Sequence, residues 1–266
     1  MSFRIATWNI NSVRLRQGIV LRLLKEETPD ILCLQEIKTP LDTFPTEAFA
    51  KAGYAHQAVL GQSGYNGVAI LSRAPFVKTW TAEICARGHA RHIAASFANG
   101  LEVHNLYVPA GGDIPDPALN EKFAHKLAFL SEMERYFGGL KDKASALRVL
   151  VGDLNIAPLE NDVWSHKQLL DVVSHTPIEV EGLARVKASH DFQDSTRLVV
   201  PEHEKIYSWW SYRARDWALS DRGRRLDHIW LSPALKGALG AHAIRKEVRG
   251  WTQPSDHVPV IATLTI

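Results

Sequence analysis

Oxygen-bearing and imidazole side chains recur in this chain at the ends of short apolar runs. Asn9 and Asn11 follow FRIATW, Glu36 follows DILCLQ, Tyr107 closes LEVHNLY, Asp153 and Asn155 follow LRVLVG, and Ser255-Asp256-His257 stands just before the last run. Singly, each is the polar residue expected where a strand meets water, since Asn and Asp favour turns and caps. Brought together by neighbouring strands, they would form a pocket of Asn, Glu and Asp oxygens. All-oxygen ligation suits a hard cation such as Mg²⁺ or Mn²⁺, bound through one or two carboxylates, waters and phosphate oxygens. Zinc fits poorly, because HExxH and cysteine clusters are absent and the 12 histidines are scattered. No GxGxxG or GxxxxGK[ST] occurs, and Gly61-Gln62-Ser63-Gly64 is not GxSxG, so nucleotide-cofactor and serine-hydrolase chemistries drop out.

His257 has a candidate acidic partner in Asp227 of Arg225-Leu226-Asp227-His228. Antiparallel pairing of that strand-like segment with the final strand would set the two side by side. A carboxylate beside an imidazole fixes its tautomer and favours the cation, which can donate to a phosphoryl oxygen; a structural Asp and a capping His explain the same residues. Just upstream, Tyr207-Ser208-Trp209-Trp210-Ser211-Tyr212-Arg213 opens a basic loop. Residues 213–225 hold five Arg and two Asp, a local net of +3 in a chain whose total is +2. Rings that stack on bases or sugars, interleaved with guanidinium groups that hold phosphates, suit a nucleic-acid groove. The bland alternative is a buried Trp pair and a solvated Arg face.

The elements that must position these groups read as short strands rich in Val, Ile and Leu: FRIATW, DILCLQ, GVAILS, HIAASF, LEVHNLYV, LRVLVG, LDHIWLS and VPVIATLTI. Between them, Ala118 to Phe137 has helical period, with Leu119, Phe123, Leu127, Leu130 and Phe137 on one face, and Val13 to Lys25 is a second helix. Strands outnumber helices and several follow one another directly, which predicts two packed sheets covered by helices. With 266 residues, 45% hydrophobic and 23% charged, and no linker or repeat, the chain reads as one α/β domain over 1–266. Pro158 to Lys205 is the least strand-like stretch, with helical pieces expected at Asn161 to Val173 and Glu181 to Phe192. Cys33 and Cys85 show no paired or CxxC spacing and read as buried thiols of a reducing compartment. No signal-peptide pattern or membrane-length apolar run is seen, so a cytoplasmic protein without a membrane partner is expected.

Taken together, the chain resembles the exonuclease III family of DNA repair nucleases, within the endonuclease/exonuclease/phosphatase superfamily that includes deoxyribonuclease I. The resemblance rests on TWNINSVR (Thr7 to Arg14), LQEIK (Leu34 to Lys38), YNGVAILS (Tyr65 to Ser72), NLYVPAG (Asn105 to Gly111), GDLNIAP (Gly152 to Pro158), YSWWSYR (Tyr207 to Arg213), RRLDHIWLS (Arg224 to Ser232) and PSDHVPV (Pro254 to Val260). It implies a four-layered α/β sandwich, two facing β-sheets flanked by helices. It implies Glu36 as principal metal ligand, with Asn9, Asn11, Asp153, Asn155 and Asp256 completing the metal set directly or through water. Asp153 would orient or deprotonate the attacking water, Asn155 would hold nucleophile and transition-state oxygens, Tyr107 would contact the scissile phosphate, and His257 with Asp227 would donate to it. Trp210, with Trp209 and Tyr212 nearby, would pack on an extruded abasic sugar or 3′-terminal nucleotide, and Arg213 would also bind substrate.

The implied activity is Mg²⁺-dependent (Mn²⁺ substituting) hydrolysis of phosphodiesters in double-stranded DNA at abasic sites and 3′ ends, by a monomer. The chain departs from the family at Ser12, where Gly is common, and at Ala110, where Asn or Gln is common and one substrate hydrogen bond is expected to be lost. It departs most over Asn161 to Lys205, where a bulky His166 near the pocket is expected to disfavour abasic-site incision. The alternatives are a superfamily phosphodiesterase acting on RNA or a small phosphoester, and a noncatalytic nucleic-acid binding module.

Overall fold

A computed structural model describes residues 2–84 and 86–266; the expectation for Cys85 lies outside them. In chain order the elements are β1 (Ser2–Asn9), α1 (Gln17–Glu27), β2 (Ile31–Gln35), α2 (Thr46–Lys51), β3 (His56–Leu60), β4 (Val68–Ser72), β5 (Lys78–Trp80), β6 (His92–Ser96), β7 (Glu102–Tyr107), α3 (Glu121–Gly139) and β8 (Arg148–Asp153). There follow α4 (His166–Leu169), α5 (Pro177–Ser189), β9 (Gln193–Asp194), α6 (Ser195–Val199), β10 (Trp209–Trp210), α7 (Trp217–Ser220), β11 (Gly223–Arg224), β12 (Asp227–Leu231), β13 (Leu239–Ile244) and β14 (Val260–Thr265). Among the described residues these strands form a six-stranded sheet in the order β13-β14-β1-β2-β4-β3, a second in the order β5-β6-β7-β8-β12-β9, and the ribbon β10-β11.

Each large sheet is antiparallel except at its centre, where β1 pairs with β2 and β7 with β8 in parallel. Such pairs need a crossover, supplied by α1 and by α3. The result is the two packed sheets covered by helices that the run pattern predicts, and the four-layered sandwich that the resemblance implies. Period two in the strands explains the layers. Ile5, Ile31, Cys33, Val103, Val149, Val151 and Ile229 face one another between the sheets, while Ala6, Leu32 and Leu34 face α1 and Leu106 and Leu150 face α3 and α5.

Between the sheets, one polar latch fixes their mutual position. Gln35 Nε2 donates to Thr7 Oγ1 (2.9 Å) and Asn105 Oδ1 (2.6 Å), and Asn105 Nδ2 donates to the carbonyls of Leu34 (3.0 Å) and Ala69 (2.9 Å). Both side chains are fully buried, so these bonds compete with no solvent.

Some helix expectations shift. The helix expected from Ala118 begins at Glu121, because Asn120 caps it by accepting from Lys122 N, and Leu119 is left 75% exposed instead of joining the core. The helix expected over Asn161 to Val173 shrinks to α4, because Val163 bridges to Arg224 and Asp162 is held by Arg225. No helix among the described residues is long and apolar enough to cross a membrane.

Candidate active site

The sheet alternation that builds the inner core also delivers the polar groups. Asn9, Gln35, Tyr107, Asp153 and Asp227 continue the inward-facing positions of β1, β2, β7, β8 and β12 at the strand ends. Tyr107 is in register with Asp153, and Asp227 stands directly opposite Asp153. Asp153 follows a glycine for a steric reason: at Gly152 (φ +143°) a Cβ would lie 1.9 Å from the Leu106 carbonyl oxygen.

Two carboxylates opposed across a ladder repel each other, and His257 lies between them. Its Nδ1 is 2.8 Å from Asp227 Oδ2, and its Nε2 is 3.6 Å from Asp153 Oδ2. Ser208 Oγ also donates to Asp227 Oδ2 (2.6 Å). The sequence-based route to this contact needs correcting. β12 pairs with β8 and β9, whereas the final strand β14 lies in the opposite sheet, so Asp227 and His257 meet across the sandwich. His257 is held there by Trp8 Nε1 donating to its carbonyl (2.9 Å), by Ser255 Oγ accepting from its N–H (3.2 Å), and by a bridge to Trp209.

Burial alone would lower the His257 pKa, but the carboxylates of Asp227 and Asp153 outweigh it and push it up to about 10. Burial, with Asp227 and Glu36 nearby, pushes Asp153 up to about 7, against the opposing pull of His257 and Asn9. His257 is therefore a cation at neutral pH beside a carboxyl poised to exchange a proton.

Next to this set lies an oxygen-rich pocket. Glu36 Oε1 accepts from Asn9 Nδ2 (2.9 Å) and Tyr107 OH (2.7 Å). Asn9 Nδ2 also donates to Asp153 Oδ2 (2.8 Å), while its Oδ1 accepts from Asn11 N (3.1 Å). Asn11 Nδ2 donates to Asp256 Oδ1 (3.1 Å), and Trp209 Nε1 to Asp256 Oδ2 (3.0 Å). Lys38 Nζ bridges Glu36 Oε2 (2.7 Å) and Asn11 Oδ1 (2.6 Å). The protein thus already gathers a cation on two of the oxygens expected to ligate metal, and the hard-oxygen donor set fits a divalent ion.

Burial pushes Glu36 and Asp256 upward, but Lys38 with Asn9 and Tyr107 outweighs it at Glu36, and His257 with Trp209 and Asn11 outweighs it at Asp256. Both carboxyls stay below their ordinary range and ionised. Burial, Glu36 and Asp153 hold the Tyr107 phenol well above its usual pKa, so it is a donor. Asn11, Ser12, Glu36, Lys38 and Asn155 all have positive φ (48°, 83°, 49°, 52° and 53°), a cluster of strained backbone typical of functional corners. Asn155 spends both amide hydrogens within the protein, on the Val108 carbonyl (2.9 Å) and Asp153 Oδ2 (3.2 Å).

These groups open onto a cleft of about 690 Å³. Its walls include Trp164 with the Arg222 guanidinium 4.7 Å from the ring centroid, and Trp209 with Arg224 at 5.3 Å. Arg213 is exposed on the same rim. Trp210 behaves differently from expectation. Trp209 and Trp210 both line the cleft, but consecutive strand residues face opposite sides, and Trp210 is 1% exposed, packs into the core and donates its indole N–H to Asp221 (2.9 Å).

Tyr212 braces the neighbouring loop by donating to the Pro254 carbonyl (2.8 Å) while accepting from Arg16 (2.9 Å). Arg225, counted in the basic loop, is fully buried between Asp162 and Asp194. His166 also departs from expectation. His175 Nδ1 donates to the Ala157 carbonyl (2.7 Å), leaving its Nε2 to accept from His166 Nδ1 (2.8 Å), and His166 does not line the cleft.

Sequence reasoning passed over Lys38, Ser208 and Arg222 as site residues, although the first two stand inside the matched motifs.

A model of the endonuclease/exonuclease/phosphatase family matches residues 6–257. An exodeoxyribonuclease of Bacillus subtilis is 30% identical over 270 residues, covering 99% of this chain and 100% of that protein. An AP endonuclease from Archaeoglobus fulgidus has a similar structure, with a TM-score of 0.92 at 33% identity, over 99% of this chain and 100% of that one. The 3′-5′ exonuclease NExo from Neisseria meningitidis gives 0.90 at 32% identity, over 99% and 100%.

Proposed function

The chain belongs to the endonuclease/exonuclease/phosphatase family, and from that premise we propose that it is a Mg²⁺-dependent DNA repair nuclease hydrolysing phosphodiesters at abasic sites and 3′ ends of duplex DNA. The observation that carries this reading is the buried Asp153–His257–Asp227 set, which reaches the cleft through His257 beside the Glu36 oxygen pocket. Asp153, with its carboxyl near neutrality, takes the proton of the attacking water. Asn155 holds Asp153 through Nδ2, which leaves Oδ1 to receive the water's second hydrogen. His257, kept cationic by Asp227, donates from Nε2 to a phosphoryl oxygen as charge builds there. Tyr107 holds Glu36 as a protonated phenol. Glu36, Asn11 and Asp256 would hold the divalent ion, which supplies Lewis-acid stabilisation of the phosphate oxygens.

DNA is favoured over a small phosphoester by the two stacked Trp–Arg pairs and Arg213, which offer ring faces for sugars or bases and guanidinium groups for flanking phosphates. With His166 turned to His175, Trp164 is the bulky group of the variable segment that shapes the cleft.

Labelled duplexes carrying an abasic site, a 3′-phosphate or a recessed 3′-hydroxyl, each with Mg²⁺ or EDTA, test the reading. Hydrolysis of at least one, abolished by EDTA, is expected. No hydrolysis of any, or turnover of a small phosphodiester as efficient as that of duplex DNA, would overturn it.

A further inference from the structure

Beneath the cleft floor lies another charged pair with no exposure to solvent. Lys126 of α3 and Glu179 of α5 are both 0% exposed, and Lys126 Nζ lies 2.5 Å from Glu179 Oε1. A buried ion pair is seldom a net stabiliser relative to apolar side chains of similar size. The two helices already have an apolar seam that includes Leu130, Leu183 and Val186. Glu179 also closes a capping box with Thr176, but that role needs no buried lysine opposite.

What the pair touches is informative. Lys126 Nζ spends its other two hydrogens on the carbonyls of Asn155 (2.8 Å) and Ala110 (3.2 Å). Glu179 accepts from the amides of Ser174 (2.9 Å to each oxygen) and Thr176 (3.2 Å) and from Thr176 Oγ1 (2.6 Å). Ala110, Asn155 and Ser174 all line the cleft. Asn155 and Ser174 are non-glycine residues at positive φ (53° and 86°), conformations that persist only where their surroundings over-determine them. The fit is tight, since a Cβ at Gly111 would meet Lys126 Cδ at 2.9 Å.

We propose that Lys126 and Glu179 are positioning residues: one buried pair bolts three cleft-lining segments together and sets the backbone of Asn155 and Ser174, and through Asn155 the aim of Asp153. This rests on the roles given to Asn155 and Asp153 above. It requires that the pair matter more to turnover than to stability or substrate binding.

The test replaces both partners at once, Lys126→Met with Glu179→Leu, so that no buried charge is stranded. The expected result is a folded protein melting within a few degrees of wild type. Its kcat on the best duplex substrate falls about 10- to 100-fold, the scale of an ångström-sized misplacement, with KM changed less than about threefold. Hydrogen exchange is expected to speed up in peptides spanning 153–157 and 172–176 but not in α3 or in α5 beyond its first turn. Should the double variant not fold, Lys126→Arg keeps the charge but cannot offer three divergent hydrogens from one atom; a several-fold loss of kcat with the same exchange pattern is expected. Wild-type kcat together with wild-type exchange in whichever variant folds would overturn the proposal. A wild-type enzyme inactive on every duplex would instead sink the functional reading, and the exchange pattern would still judge the pair.

Discussion

Two anion–cation–anion sets lie buried a few residues apart in this molecule, and only one is suited to chemistry. In the first, His257 stands between Asp227 and Asp153; in the second, Arg225 stands between Asp162 and Asp194. The second set is saturated. Asp162 accepts from Arg225, Arg197 and Leu159 N, Asp194 accepts from Arg225 and Thr196 N, and His228 accepts from Arg225 through Nδ1 while donating to the Ile156 carbonyl. Burial raises both aspartates, but Arg225 outweighs it and holds them below the ordinary range. Nothing in that set can exchange a proton near neutral pH.

The first set is incomplete. Asp227 Oδ1 has no partner, His257 Nε2 stands 3.6 Å from Asp153, and Asp153 is raised to about 7. A permanent cation with filled carboxylates makes a strut that anchors the variable segment to β12. A titratable cation with a gap in front of it makes a reacting group.

The contrast can be broken most forcefully at the strut. Asp162→Asn leaves Arg225 with Asp194 alone and takes the carboxylate from Arg197 in a dry interior, and should cost about 3–5 kcal/mol in urea unfolding, with kcat of the folded enzyme within about threefold of wild type. A stable but inactive Asp162→Asn would erase the distinction. Asp227→Asn should act the other way, lowering kcat by about 100-fold with modest effect on stability. Its sign in pH is fixed: Asp227 raises the His257 pKa, so its removal lets that pKa fall from about 10, the imidazolium is lost at lower pH, and the basic limb of the rate profile moves acidward. An unmoved limb would separate His257 from the reaction. Smaller still is the effect expected at Lys38, whose ammonium occupies Glu36 and Asn11. Lys38→Met should bind Mn²⁺ about three- to tenfold more tightly by calorimetry, because no ion pair must be broken first. Weaker binding would make Lys38 a support for the donor oxygens.

Much of this was legible in the sequence because strand alternation is local. The apolar runs gave the strands, and the polar residue after each run marked the cleft edge. The Asp227–His257 contact was anticipated, but through strand pairing, whereas it forms across the sandwich; sheet order depends on long-range pairing that no short window records. The burial of Trp210 was not anticipated, although period two sets the members of a Trp pair on opposite sides. Lys126 escaped notice as a charge inside the apolar stripe between Phe123 and Phe129, and Glu179 as the last residue of a Thr176-Pro177-Ile178-Glu179 cap. In both cases the signal was a polar residue at a core-facing position, and its meaning appears only when two helices meet.

Single-turnover hydrolysis by Asp153→Asn tests the central claim most directly, using the most reactive of the duplex substrates in Mg²⁺ and after EDTA, with melting temperature and DNA affinity measured alongside. The account predicts a folded protein that binds DNA, turns over at least about 1,000-fold more slowly than wild type, and stands beside a wild type silenced by EDTA and restored by Mg²⁺. Turnover within tenfold of wild type, or wild-type activity indifferent to EDTA, would contradict it.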